Sequence, residues 1–298
     1  MRVNGYKIER SANLECANLN GADLRHKDLG PSSLETGRIT KAHLPWLLNN
    51  VFGTNLKNAK LNGADLRSSV LCFANLQGST AEAVDFIQAD LRGANFSDVK
   101  FFNSRFNFSQ LDFANFRDAI LQIANMAFAN MPNANFTGAR IQRTDFSRAN
   151  LESSLFDNAK FDTVCFDEAN LSCAELSGLD LTQSSFRRAN LRGANLQDSD
   201  LTGINLEKAD LRDANLNGAN LNLAKLQGAN LNGLRLHNSN LQNTNLQFAD
   251  LSRTDFHGGN HCYSGTNIAG ANFMGAKLPE GFPYFDHDEA RTRLGIRF

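Results

Sequence analysis

The chain lacks most of the features by which a sequence announces an activity. No apolar run reaches membrane-spanning length. The opening MRVNGYKIER carries charge but no apolar stretch of the kind a secretory leader needs. A cytoplasmic setting is therefore expected. Lys and Arg number 30 and Asp and Glu 31, for a net charge of −1. No global field points to nucleic acid or to a membrane surface, and neither is expected as a partner. The five cysteines, Cys16, Cys72, Cys165, Cys173 and Cys262, have neither zinc nor disulfide spacing, which fits a reducing compartment. There is no nucleophile elbow, phosphate-binding loop or HExxH. The expectation is a protein that is not an enzyme, with no cofactor and no small-molecule substrate.

What the chain has is a count of five. From Leu56 to Phe256 every fifth residue is Leu, Phe, Met or Ile, with one exception at Ala81. Two residues before each sits a small or apolar residue, and between them most often Asn or Asp. The stretch RRANLRGANLQDSDLTGINLEKADLRDANLNGANLNLAKLQGANL, residues 187–231, shows it plainly. In an extended segment the small and the large residue face the same way and the Asn or Asp faces the other. The two residues that follow suit a corner. A helix cannot use the pattern, because five-residue steps carry an apolar stripe around its axis. Each pentad is thus a short strand plus a bend. Its apolar side is buried only when the chain winds into a closed coil and coils stack, at a spacing of about 4.8 Å.

Two columns set the number of sides. Phe86, Phe106, Met126, Phe146, Phe166 and Phe186 are twenty apart, and so are Arg148, Glu168, Arg188 and Lys208. Asp167, Arg187 and Glu207 alternate in sign beside them. A fifteen-residue coil would lose this alternation, so four sides are expected. The charges read as a ladder of ion pairs on a solvated face.

With pentads such as Ala64-Asp65-Leu66, Ala94-Asn95-Phe96, Ala149-Asn150-Leu151 and Ala209-Asp210-Leu211, the chain resembles the pentapeptide-repeat family over nearly its whole length. The resemblance implies an all-β fold, a right-handed quadrilateral parallel β-helix. Family members include inhibitors and protectors of DNA gyrase, regulators of cell differentiation and secreted effectors, so the fold alone names no activity.

The register breaks twice. An N-terminal phase runs through Leu14, Leu19, Leu24, Leu29 and Leu34, with weaker matches at Ile39 and Leu44, before the main run resumes at Leu56. Residues 39–53 hold the only Trp and Pro45, which suits a first helical turn. A short helical insertion or bulge is expected at 45–53, after N-terminal coils at 1–44. A second break follows Phe256, and the count resumes at Ile268, Phe273 and Leu278. Asp286 and Glu289 have capping-box spacing, so a helix is expected over 287–294, with Gly295 as its stop. Residues 279–298 would then cap a single solenoid whose main coils occupy 54–278.

Two clusters are candidates for function. His237 and His257 are twenty apart, and His261 and Cys262 follow. Imidazole and thiolate suit zinc or copper, but no tight ligand spacing is present, and no bound metal is expected. The second cluster is apolar. Phe73, Ile87, Phe102, Phe108, Phe113, Ile123 and Phe128 stand in corner positions that should face water, and Ile120 takes an Asn/Asp slot. Such a patch marks an interface, unless residues 39–53 fold back over it. The expected function is a non-enzymatic protein-interaction scaffold or regulator, associating with a protein partner or with itself. The alternative is a DNA-mimicking inhibitor or protector of DNA gyrase or topoisomerase IV. That role would need rows of carboxylates, whereas here Arg and Lys interrupt them.

Overall fold

The computed structural model describes residues 2–3, 6–7, 14, 17–25, 27, 29, 53–256, 266, 268–279 and 296–297. The chain divides into two compact units, Met1–Ala159 and Lys160–Phe298. In each, the backbone is a right-handed parallel β-helix with four sides, one pentad to a side.

The first unit opens with a small antiparallel pair, β1 (Arg2–Val3) and β2 (Tyr6–Lys7). In its coils one side carries regular strands, β3 (Thr80–Glu82), β4 (Lys100–Phe102), β5 (Ile120–Gln122) and β6 (Arg140–Gln142), paired in parallel at a twenty-residue offset. The other three sides pair through single residues in the Asn/Asp slot, as in Asp65↔Asp85↔Arg105 and Asn75↔Asn95↔Asn115. The N–H and C=O of a slot residue both bond to the preceding coil, and the residues flanking it bond to the next. Leu66 N donates to Asp85 O at 2.8 Å, and Asp85 N donates to Ala64 O at 3.0 Å. Twenty residues per coil is the four-sided count that the charge and Phe columns predict.

Corners close by a turn in which the small residue's N–H donates to the preceding large residue's carbonyl, as Ala64 N does to Leu61 O at 2.8 Å. The third residue of nearly every such turn then has positive φ, as in a type II turn. Gly63 stands there at 67° and Asn58 at 55°. Both types tolerate the left-handed region. On the β3–β6 side hydroxyls from the next coil replace some of these bonds. Ser104 Oγ donates to Ala81 O at 2.5 Å and Thr144 Oγ1 to Leu121 O at 3.4 Å.

Inside, the small residue lets a large one from the facing side approach. Two columns of buried Phe interlock across the first unit. Phe96, Phe116, Phe136 and Phe156 stack at 4.9, 4.8 and 5.0 Å between centroids. Phe86 and Phe106 stack at 4.8 Å and meet Phe96 edge-on, each at 6.0 Å.

The second unit begins with β7 (Lys160–Asp162) and continues through bridges such as Asn170↔Asn190↔Asp210↔Asn230↔Asp250. Its core is mostly Leu, with Phe166 and Phe186 stacked at 4.8 Å. Asn side chains run up its sides as amide ladders, Asn190 Nδ2 donating to Asn170 Oδ1 at 2.8 Å and Asn240 Nδ2 to Asn220 Oδ1 at 2.9 Å.

The breaks are longer than the register alone suggests. Asn18 pairs with Lys60 and Asp23 with Asp65, offsets of 42, or 42 − 20 = 22 residues beyond one coil. Leu34, Ile39 and Leu44, which the count of five also marks, lie outside the described residues. A period of five fixes register only to within whole pentads, so an excess of 22 residues shifts the count by two. Further on, Asn245 pairs with Asn272, an offset of 27 and an excess of seven. The expected helices at 45–53 and 287–294 fall on residues that lie, except Gly53, outside the described set. Ile296 is buried, and Arg297 pairs with Asn272.

Candidate functional site

The apolar corner residues of the first unit divide by exposure. Phe102, Phe108, Ile123 and Phe128 are exposed, at 42%, 52%, 39% and 41%. Phe113 and Ile87 are half-buried. Phe73 departs from expectation, being only 7% exposed. Its ring occupies a notch left by Gly93 one coil on, where a methyl group would overlap it. Phe73 is thus withdrawn from the exposed set.

Phe108 and Phe128 form the centre of what remains. Their rings stack at 5.0 Å with 15° between planes, and the Arg148 guanidinium lies 5.3 Å from the Phe128 centroid. Aromatic, aromatic and cation therefore succeed one another up one side of the coil. Three of these residues have positive φ: Phe108 60°, Phe128 61° and Ile123 57°. A side chain with a Cβ is disfavoured in that region by about 1–2 kcal/mol. A β-branched Ile is a marked outlier there.

Among the described residues further exposed apolar side chains lie outside 73–128. Leu155 in the first unit is 42% exposed. In the second, Leu223, Phe248 and Met274 are 56%, 69% and 47% exposed.

Beside Phe73 lies a polar cluster. Arg92 grips Asp90 with two bonds of 2.8 and 2.7 Å, and the same guanidinium lies 3.8 Å from Cys72 Sγ. Burial, reinforced by the Asp90 charge, pushes the Cys72 thiol up to about 12. Burial also opposes charge on Asp90, but the Arg92 hydrogen bonds outweigh it and hold that carboxyl below its usual range. Asp112 is raised, by burial, although Asn130 Nδ2 donates to it at 3.0 Å. The thiol is un-ionised and paired, an arrangement for packing rather than for nucleophilic attack.

Carboxylates on the neighbouring side are interleaved with guanidinium groups. Arg25 joins Asp23 at 2.6 Å and Asp65 at 3.5 Å; Arg67 joins Asp65 at 2.7 Å and Asp85 at 3.5 Å; Arg105 joins Asp85 at 2.5 Å. In the second unit Arg188 lies 3.8 Å from Glu168 and Arg187 3.3 Å from Glu207. Asp85 is buried, but the Arg188–Glu168 and Arg187–Glu207 pairs are exposed and screened. Arg188→Ala is expected to change stability by only about 0.2–1 kcal/mol in a denaturant titration.

His237 Nε2 sits 2.9 Å from Asp255 Oδ2. Among the described residues no group of three or more His, Cys, Asp or Glu could hold a metal ion. His257, His261 and Cys262 lie outside them. No helix among the described residues is long and apolar enough to cross a membrane.

The family model described as pentapeptide repeats matches eight copies between residues 52 and 258. Among solved structures, HetL from the cyanobacterium Nostoc sp. strain PCC 7120, a pentapeptide repeat protein involved in heterocyst differentiation regulation, is 22% identical, with 93% of each chain covered and a TM-score of 0.29. QnrB1, a plasmid-mediated fluoroquinolone resistance protein, is 20% identical over 80% of this chain and 98% of its own, with a TM-score of 0.30. A pentapeptide repeat protein from the Arabidopsis thaliana thylakoid lumen is 32% identical over 37% of this chain and 69% of its own, with a TM-score of 0.25. No curated protein matches the chain.

Proposed function

The chain belongs to the pentapeptide-repeat family, and from that premise we propose that it is a non-enzymatic scaffold that binds a protein partner through the exposed apolar corner residues of its first unit. The observation that carries this reading is the stacked, exposed pair Phe108 and Phe128. Two separate costs attach to those positions. The backbone is left-handed, where Asn, Asp or Gly serve better, and the rings face water. Folding supplies no reason for Phe there, whereas an interface centre is enriched in aromatic residues. A gyrase-directed DNA mimic is the weaker reading, because Arg25, Arg67 and Arg105 neutralise the Asp23–Asp65–Asp85 row that would have to stand for phosphates.

The test is the double variant Phe108→Ser, Phe128→Ser. Its melting temperature is expected to stay nearly unchanged, since an exposed stack contributes only about 0.5–1.5 kcal/mol. Association, read by sedimentation and by pull-down from the native host, is expected to be lost. Unaltered sedimentation together with an unaltered set of captured proteins would refute the proposal.

A further inference from the structure

The four sides of the first unit differ in charge. Along residues 54–158 the β3–β6 side carries four cations, Lys60, Lys100, Arg140 and Arg143, against one carboxylate, Glu82, a formal charge of +3. The side bearing Phe108 and Phe128 is balanced, and the remaining two are net acidic. A protein of net charge −1 thus concentrates unneutralised positive charge on one side of one unit. All four cations are exposed, and none forms an ion pair with a described residue.

Their placement is regular. Lys60, Thr80, Lys100, Ile120 and Arg140 are successive partners in one parallel ladder. At about 4.8 Å per coil, the cations Lys60, Lys100 and Arg140 recur every ~9.6 Å. Between and beside them stand Phe102 and Ile123, exposed at 42% and 39%. Phe102 shares β4 with Lys100, two residues along, while Ile123 takes a left-handed corner at φ 57°.

We propose that this side binds an acidic segment of the partner protein, one presenting carboxylates about 10 Å apart on one face, as residues three apart do in a polyproline II chain rising ~3.1 Å per residue, with apolar side chains flanking them. The inference rests on the scaffold reading above and adds the chemistry of the partner. Charge complementarity selects and steers the segment, and Phe102 and Ile123 supply the desolvated centre. A nucleic-acid backbone would satisfy the cations but has nothing to offer Phe102 and Ile123.

A random peptide library displayed on phage, panned against the full-length protein, tests this. Selected peptides are expected to combine Asp or Glu with Leu, Ile or Phe. A selected peptide, labelled for fluorescence anisotropy, should bind about tenfold or more weakly to Lys100→Glu, Arg140→Glu protein. Raised salt should weaken it, and so should Phe102→Ser. Unchanged melting of these variants would separate lost binding from lost folding. Failure to select peptides, selection without acidic enrichment, full affinity for the charge-reversed protein, or complete competition by duplex DNA would each overturn the proposal. If the charge-reversed protein keeps the association that Phe108→Ser, Phe128→Ser removes, the scaffold reading stands and this inference falls.

Discussion

Phe116→Ala is expected to cost the first unit about 3–5 kcal/mol. Phe116 is fully buried between Phe96 and Phe136, at 4.9 and 4.8 Å, and also meets Phe101 and Phe106 at 6.3 and 6.2 Å. Removing the ring leaves a cavity in a stack whose spacing the backbone ladder fixes, so the neighbours cannot close in. The loss should appear as a lower denaturant midpoint for the transition of this unit. A change below about 1 kcal/mol would mean that the coil collapses around the gap, contrary to an interior held at fixed spacing.

Cys72 is expected to resist alkylation in the native protein. Thiolate is the reacting form, and the rise from the thiol's ordinary value of 9.0 to about 12 reduces its fraction at neutral pH by on the order of 10³. Maleimide labelling followed by peptide mass analysis should show native Cys72 reacting about 10³-fold more slowly than in denaturant. Native and denatured rates within tenfold of each other would contradict a thiol held between Asp90 and Arg92. The same shift sets a pH dependence. Above the unfolded value of 9.0 the unfolded chain releases the thiol proton while the folded one keeps it, so this contribution to stability is complete below 9.0 and is lost as pH rises toward about 12.

The candidate surface was legible in part. Phe108 and Phe128 are twenty apart and both stand in a corner slot, so their stacking follows from the period. Ile123 and Phe102 follow in the same way. Phe73 does not, because its burial depends on Gly93, twenty residues further on. The absence of a side chain there counts only once the coils are stacked. Cys72 and Arg92 are likewise ordinary corner residues by their slots, yet Asp90 and the coil beside them make a paired polar cluster of them.

By itself the sequence determined the pentad, the buried column and the number of sides. Those are local and repeated properties, and forty repetitions of one step leave little freedom to a chain that must bury the same slot each time. The tertiary structure decided what the period leaves undetermined. It set the pairing offset of 42 between Asn18 and Lys60 and between Asp23 and Asp65, since a count of five is blind to whole pentads. It decided which carboxylates are neutralised, since Arg67 reaches Asp65 on its own coil and Asp85 on the next. It decided which aromatic rings stay in water. In a stacked coil a side chain's closest neighbours lie one turn away rather than along the chain, so its exposure is a property of three coils at once.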